Sequence, residues 1–575
     1  MANWKTYRVV DAVTEIDDEK FVLPVIQRSL VWTEDKMELL FDTLLKGDSF
    51  GGVMVIEEEK DTKPLFNYRP FTKDGCFILS RQIDSLKQQQ FFVIDGQQRL
   101  QTFYIGLKGT INGKVLFFDL FSDYNFEYEF RFEKDENKLP KTSKENSDRK
   151  ISEHFWYPVK TLLEKLKNTG RYKQVVKEII EKHKINDELQ KEHVEENVLS
   201  FNENVLNSET LGISKVVVNK SLPEIENRQR IVELFRRLND GGTRLSSFDL
   251  VASILKGFSW EMEGFLKEIL EEYKDIGLTQ DNLIKLIFLL QDNHKKEMAY
   301  IEATDAEFAI NNKDRIKSTI KALKDFLEYS KTYDYYKEGN RSFVPLFFIS
   351  YHLFHKDIDN NSLMNFFNNY ETGNTDFPLM KRWLYHSLVN GVFKSKGAGW
   401  IPYKTGIRKI LEKIKTHKNK IFPTNEIFQV YRNHPVTFTE KYTSSNLDQL
   451  DNTFIFYLMY DRTRSSRTND VDHIMPKNIL EKMDFDLDKI NSIKNLQLLD
   501  FGTNRGAKNG KSFKEWVYNP EYVKDKAAYA AHHLIPMDEN LWIEKRFDDF
   551  IEGRAKIIIE KIYHYCKQHL TTAST

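Results

Sequence analysis

Four apolar residues, Phe91-Phe92-Val93-Ile94, run directly into Asp95-Gly96 and then into Gln97-Gln98-Arg99-Leu100-Gln101-Thr102-Phe103, a segment that stops at Gly109. A short apolar run closed by an Asp-Gly turn reads as a buried strand, and the segment after it reads as a helix. This junction sets a helix N-terminus at a strand end. Such a place is a natural anion cradle, because unbonded N–H groups and the helix dipole face one point. Gln97, Gln98 and Arg99 add donors that suit a phosphate or a nucleobase. Spacing alone leaves a second reading open, in which a buried Asp95 caps the helix and Arg99 pairs with it.

At 575 residues the chain is too long for one hydrophobic core, and two to four domains are expected. A hydrophobic fraction of 40% with 42 Phe and 26 Tyr excludes a disordered chain. The formal net charge of −1 favours no partner class, so any nucleic-acid surface must be local. Cys76 and Cys566 make neither a disulfide framework nor a four-ligand zinc site, and they fit a reducing cytosol. The first residues show no apolar leader and no stretch reaches a membrane-spanning length. A cytoplasmic protein without a membrane partner is expected.

Before the junction, Phe21 to Arg28 is an apolar run ending in the polar pair Gln27-Arg28, with Trp32 four residues on. Glu34 to Leu45 has helical spacing, Gly51-Gly52 breaks it, and Val53 to Ile56 reads as a strand. After the junction, residues 133–150 lack a hydrophobic period and form a loop, and residues 151–206 read as Glu- and Lys-rich helices. Val216-Val217-Val218 reads as a strand. A helix through Ile231 and Asn239 then ends at Gly241-Gly242, and Ser246 or Ser247 caps the next one.

Three motifs in order carry a resemblance: Leu23-Pro24 with Gln27-Arg28 and Trp32; Ile94-Asp95-Gly96-Gln97-Gln98-Arg99; and Phe235 with Asn239, Gly242, Leu245 and Asp249-Leu250. Residues 10–260 resemble the N-terminal domain of GmrSD-type restriction proteins. The resemblance implies a ParB/sulfiredoxin-like α/β core with the DGQQR signature. It further implies binding and hydrolysis of a nucleoside triphosphate, with Gln27, Arg28, Asp95, Gly96, Gln97, Gln98, Arg99 and Asn239 at the nucleotide.

Residues 261–440 are helical by period. Lys394, Lys396, Lys404, Arg408, Lys409, Lys413, Lys415, Lys418 and Lys420, with Trp400 and Tyr403 between them, suit either a phosphate backbone or a solvated helix face.

The last block, 441–575, holds Val471-Asp472-His473-Ile474-Met475-Pro476, then Asn495-Leu496-Gln497-Leu498-Leu499, then Asn504-Arg505-Gly506-Ala507-Lys508-Asn509. Metal-assisted phosphodiester cleavage needs a base for water, oxygen ligands for a hard cation, and charge at the leaving oxygen. His473 can serve as the base, Asp472 and Asn504 as oxygen ligands, Asn495 as a brace across a hairpin, and Lys508 or Arg505 as a phosphate contact. Asp472 and His473 leave opposite faces of a regular strand, so a bend is needed there. His532-His533 is a further possible contributor.

The set resembles the HNH, or ββα-metal, nuclease fold, and Asn504 to Asn509 is similar to the corresponding segment of RNA-guided CRISPR effectors. The resemblance implies Asp472 and Asn504 as ligands of Mg²⁺, Mn²⁺ or a similar ion, His473 as general base and Asn495 as hairpin support. The whole is then an α+β multidomain chain: 1–260 a nucleotide-binding or NTPase domain, 261–440 a helical region contacting DNA, and 441–575 an HNH domain embedded in helices. The implied activity is a nucleotide-regulated, modification-dependent DNA endonuclease of antiviral defence, acting on modified foreign DNA, with a homo-oligomer possible. The alternatives are a nucleotide-switched DNA-binding sensor that does not cut, and an HNH nuclease acting on RNA.

Overall fold

The structure is a computed structural model that describes every residue except 1–3, 28–29, 49, 82, 144–150, 220, 241–246, 260, 293–300, 338–340, 395–405, 434–437, 462–468, 501–507, 509 and 568–575. The chain is mixed α+β and divides into two compact units, residues 1–267 with 295–310 and residues 268–294 with 311–575. No helix among the described residues is long and apolar enough to cross a membrane.

The first unit is built on a six-stranded mixed sheet. Its strands are β1 (Trp4–Tyr7), β2 (Phe21–Pro24), β3 (Val53–Glu58), β4 (Tyr68–Pro70) and β5 (Gln90–Asp95); the sixth, β9 (Leu211–Val216), follows three strands of another sheet. The order is β1-β9-β3-β5-β2-β4. β5 lies inside, parallel to β2 and antiparallel to β3. Phe92, Val93 and Ile94 are all buried, the unbroken apolar pattern of a strand covered on both faces. The β3–β5 register shifts between Met54 and Val55, with Met54 opposite Asp95, so the ladder breaks at the strand end that opens onto the turn. Helices α1 (Val9–Asp17), α2 (Glu34–Leu45) and α3 (Gln97–Lys108) share one core with the sheet, in which Phe41, Leu100 and Phe103 join Val53, Val55 and Val93. Phe41 and Phe103 meet edge to face at 5.7 Å, a contact that adds about 1 kcal/mol beyond area burial.

Two elements differ from the sequence expectation. β9 starts at Leu211 and ends at Val216, because Leu211 and Ile213 supply the inward side chains while Val217 is 87% exposed. A three-stranded antiparallel sheet of β6 (Val115–Asp119), β7 (Phe130–Glu133) and β8 (Trp156–Pro158), in the order β7-β6-β8, is additional.

The second unit is helical, and the helices Lys313–Tyr329, Val344–Phe354, Asp376–Val389 and Phe547–Lys567 carry much of its buried surface. It contains one antiparallel pair among the described residues, β10 (Asn469–His473) with β11 (Leu496–Asp500). The chain after β10 turns into a core of Ile474, Met475, Leu480, Ile490, Phe513, Trp516, Phe547 and Phe550. Burying one aromatic of this size contributes about 2–3 kcal/mol, so the segment joining the two strands is anchored by packing. Arg554, fully buried, donates to the carbonyls of Ile493 at 3.0 Å and Leu496 at 2.7 Å, and also to that of His533. Burial pushes its guanidinium down only to about 10, so it stays charged at neutral pH and holds the entry to β11.

Candidate functional site

In the first unit, Gly96 occupies the N-cap of α3 with φ +85°. A Cβ here would stand 2.9 Å from Val53 Cγ2 and 3.0 Å from the Gly52 carbonyl oxygen, so only glycine permits both the turn and the close approach to β3. No side chain caps α3. The Asp95 side chain is 48% exposed and stands 3.5 Å from Arg99, so the buried, capping aspartate is not what forms. The first turn of α3 therefore keeps a positive end beside a solvent-facing carboxylate and a guanidinium.

Gln27 and Gln98 fasten this turn to the preceding motif. Gln27 Nε2 donates to the Val93 carbonyl at 2.9 Å, tying the end of β2 to β5. Gln98 Oε1 accepts the backbone N–H groups of Val31 at 2.9 Å and Trp32 at 3.2 Å. Arg99 donates to the Gly52 carbonyl, and among the described residues its buried Nε has no partner, nor has the buried Oε1 of Gln97. Gln97 lines a small cavity of about 20 Å³, where Arg69, Gln98 and Gln101 meet the apolar Leu23, Leu30 and Phe77. Behind it lies a buried pair, Arg69 with Glu263 at 2.6 Å, each 3% exposed. Uncapped N–H groups, an arginine with an unused donor and a glutamine with an unused acceptor suit an anionic, hydrogen-bonding ligand such as a nucleotide. Arg28 lies outside the described residues; Asn239 falls in the helix Glu224–Asp240, its side chain outside them too.

In the second unit, Asp472 faces Gln497 across the β10–β11 ladder, and His473, opposite Leu496, is the last residue of β10 before the chain bends at Ile474-Met475. Gln497, fully buried, donates from Nε2 to Asp472 Oδ2 at 2.8 Å, while its Oε1 accepts the Tyr529 hydroxyl at 2.8 Å. The aspartate is thus aimed by a chain of buried donors. His473 Nε2 lies 3.0 Å from Asn491 Oδ1. An amide oxygen at this distance suits the tautomer with the ring proton on Nε2 and the lone pair on Nδ1. Asn495, fully buried, accepts the Met475 N–H at 3.0 Å and donates to the carbonyls of Met475 at 3.1 Å and Ile490 at 3.0 Å. It braces the bend directly after His473.

Lys508 is turned inward. Its ammonium bonds the Asp472 carboxylate and the His473 carbonyl, and burial pushes its pKa down. Asn504 and Arg505 lie outside the described residues. His533 is buried with Nδ1 2.9 Å from the Tyr460 hydroxyl. Asn491 and Gln497 were not singled out from sequence; a signal for Gln497 is its strand position opposite Asp472.

A third cluster, Asp119, Glu129 and His154, gathers three ligand-type atoms within 4.8 Å. His154 Nδ1 is 2.7 Å from Asp119 Oδ2, shorter than the roughly 3 Å that separates two ligands of one ion. The Asp119 Oδ1 also accepts the N–H groups of Phe121 at 3.0 Å and Phe155 at 2.7 Å, so the group fastens β6 to the chain entering β8. In the basic stretch, Lys394 pairs with Asp451 at 2.8 Å and Lys415 with Asp292 at 2.8 Å, and the helix Arg408–Lys415 buries Ile410, Leu411 and Ile414. These residues behave as an amphipathic helix and its flanks, while 395–405, with Trp400 and Tyr403, lie outside the described residues.

Comparison with known proteins bears on the first unit. Residues 9–256 match the family model described as GmrSD restriction endonuclease, N-terminal domain. The N-terminal part of this chain is therefore of the kind found in a restriction endonuclease family. An uncharacterized protein of Methanocaldococcus jannaschii is 25% identical over 261 residues, which is 43% of this chain and 41% of that relative. The chain thus spans well under half the length of the curated relative it matches.

Proposed function

We propose that this chain is a divalent-metal-dependent DNA endonuclease of the defence type, regulated by a nucleoside triphosphate bound at the N-terminal cradle. The observation that carries the nuclease part is a carboxylate, Asp472, held by the buried Gln497 and followed directly in β10 by a histidine, His473, whose Nε2 stands on Asn491 just before the chain bends. The N-terminal family match supports DNA as the substrate class.

In this reading Asp472 holds a hard cation such as Mg²⁺, with Asn504 as its partner from the sequence pattern. The ion supplies charge for the leaving oxygen when bound. His473 Nδ1 takes a proton from water as that water attacks the phosphorus, a contribution of about 10²–10⁴-fold. Asn491 keeps the imidazole in the tautomer this needs, and Asn495 keeps the bend in place. At the cradle, the α3 N-terminus and Arg99 receive the phosphates, while Gln27 and Gln98 hold the two motif segments together. Recognition of a DNA modification belongs to the same proposal and rests on the family resemblance.

The test is cleavage of matched modified and unmodified phage DNA, with RNA in parallel, in the presence of Mg²⁺ or EDTA and with or without nucleoside triphosphate. Metal-dependent cutting of DNA that disappears in His473→Ala supports the assignment. Full metal-dependent cutting by His473→Ala refutes it, and binding without cutting favours a sensor.

A further inference from the structure

We infer that Lys508 is the resident cation of the C-terminal centre, and that a divalent metal loads onto Asp472 only by displacing it. This rests on the nuclease reading above and adds a residue that decides when the centre can hold its metal.

The Lys508 side chain is 3% exposed, and its two acceptors are both parts of the centre: Asp472 Oδ2 and the carbonyl oxygen of His473. Among the described residues, Asp472 is the one carboxylate paired with it. Asp472 itself is 13% exposed, and the same Oδ2 takes the Gln497 donor. One oxygen therefore carries an ammonium and an amide N–H in a site nearly closed to water. A divalent ion bound to that carboxylate would sit about 2–2.5 Å from oxygen, within a few ångströms of the ammonium. Two such cations repel strongly where water is scarce. They are mutually exclusive on this carboxylate.

The lysine is built to leave. Its head sits on a flexible four-carbon stem that can swing away without moving the backbone. A phosphate backbone arriving at the centre offers the displaced ammonium a new anionic partner, so substrate and metal would load together. A compact +1 charge satisfies the aspartate when no substrate is present and holds the centre in a metal-free state.

The experiment uses the full chain and Mn²⁺ alone as the probe, with free Mn²⁺ followed by electron paramagnetic resonance. Lys508→Met should lower the Mn²⁺ dissociation constant tenfold or more relative to wild type. Lys508→Gln, which keeps a donor without charge and covers the case in which the methionine variant fails to fold, should do the same. Adding Asp472→Asn should erase the gain. Unchanged or weaker Mn²⁺ binding in the folded Lys508 variants overturns the inference, and if DNA cleavage still depends on His473 the nuclease reading survives. A gain in affinity with cleavage indifferent to His473→Ala leaves the displacement standing and removes the nuclease reading. No Asp472-dependent Mn²⁺ binding in any form overturns the inference outright.

Discussion

Replacing Glu263 with alanine removes the carboxylate that neutralises Arg69 behind the N-terminal cradle. The two groups stand 2.6 Å apart, each 3% exposed, and the other oxygen of Glu263 accepts the N–H and hydroxyl of Ser80 at 2.7 Å each. Arg69 also donates to the Gln27 carbonyl, so it supports the residue that joins β2 to β5. Burial pushes the guanidinium pKa down and Glu263 pulls it back up, so without Glu263 the buried charge is uncompensated. Breaking one side of such a pair costs about 3–5 kcal/mol. At 1.4 kcal/mol per decade, a loss of about 4 kcal/mol speeds opening of the surrounding sheet roughly a thousandfold. Hydrogen exchange followed by mass spectrometry reads this locally, which a global melt of a two-unit chain does not. Peptides covering β2, β4 and β5 should lose protection while those covering β10 and β11 do not. The double variant Arg69→Met, Glu263→Leu should recover most of the loss, because an apolar pair of similar size replaces the charges. Protection of β2 and β5 unchanged in Glu263→Ala would refute the reasoning.

Gly96→Ala forces a side chain into positive φ and within 2.9 Å of Val53; it should cost about 1–3 kcal/mol and weaken nucleotide binding in equilibrium dialysis, and wild-type binding would contradict the cradle. Asn495→Ala leaves three buried backbone groups unbonded, an expected loss of about 2–4 kcal/mol, visible as faster exchange at Met475 and lower cleavage with the first unit unchanged. Asn491→Leu should lower the cleavage rate at least tenfold, since the imidazole of His473 loses the partner that orients it. Burial pushes His386 and His355 down to about 4. Both are neutral in the folded unit but protonate near pH 6.5 when unfolded, so their contribution is complete above pH 7 and is lost as pH falls toward 4. The loss reaches about 3 kcal/mol for His386, which is 5% exposed, and less for the partly exposed His355. Thermal melts of the second unit between pH 7 and 4 should drop, and His386→Phe should flatten part of the drop.

What could be read in the sequence was local. The strand at Phe91, the Asp95-Gly96 turn and the helix to Lys108 follow from apolar runs, a glycine and helical spacing within twenty residues, and α2 follows in the same way. The strand expected at Val216–Val218 moves upstream because the sheet buries Leu211 and Ile213, and a run of valines does not say which of its neighbours faces the core. The exposure of Asp95 was open in the sequence, since capping or pairing is decided by where β3 comes to lie. Gln97 and Gln98 look alike in sequence and line the same cavity, yet it is Gln98 that accepts the Val31 and Trp32 N–H groups. In the second unit Asp472, His473 and Asn495 were legible as types at a spacing. Gln497 and Asn491 emerge only through strand register and the fold of the connecting segment, and Lys508 only through tertiary contact. A lysine three residues past an arginine looks like a phosphate contact until its head is seen on Asp472.

The central claim is that His473 acts as the base of a metal-dependent nuclease centre. The direct measurement is single-turnover cleavage of a supercoiled plasmid bearing the susceptible modification by the full chain with Mg²⁺, comparing wild type with His473→Ala and with an EDTA control. The cleavage rate should be at least a hundredfold lower in His473→Ala and zero in EDTA, with the variant's fold intact by circular dichroism. Equal rates for wild type and variant, or cutting that persists in EDTA, would contradict it.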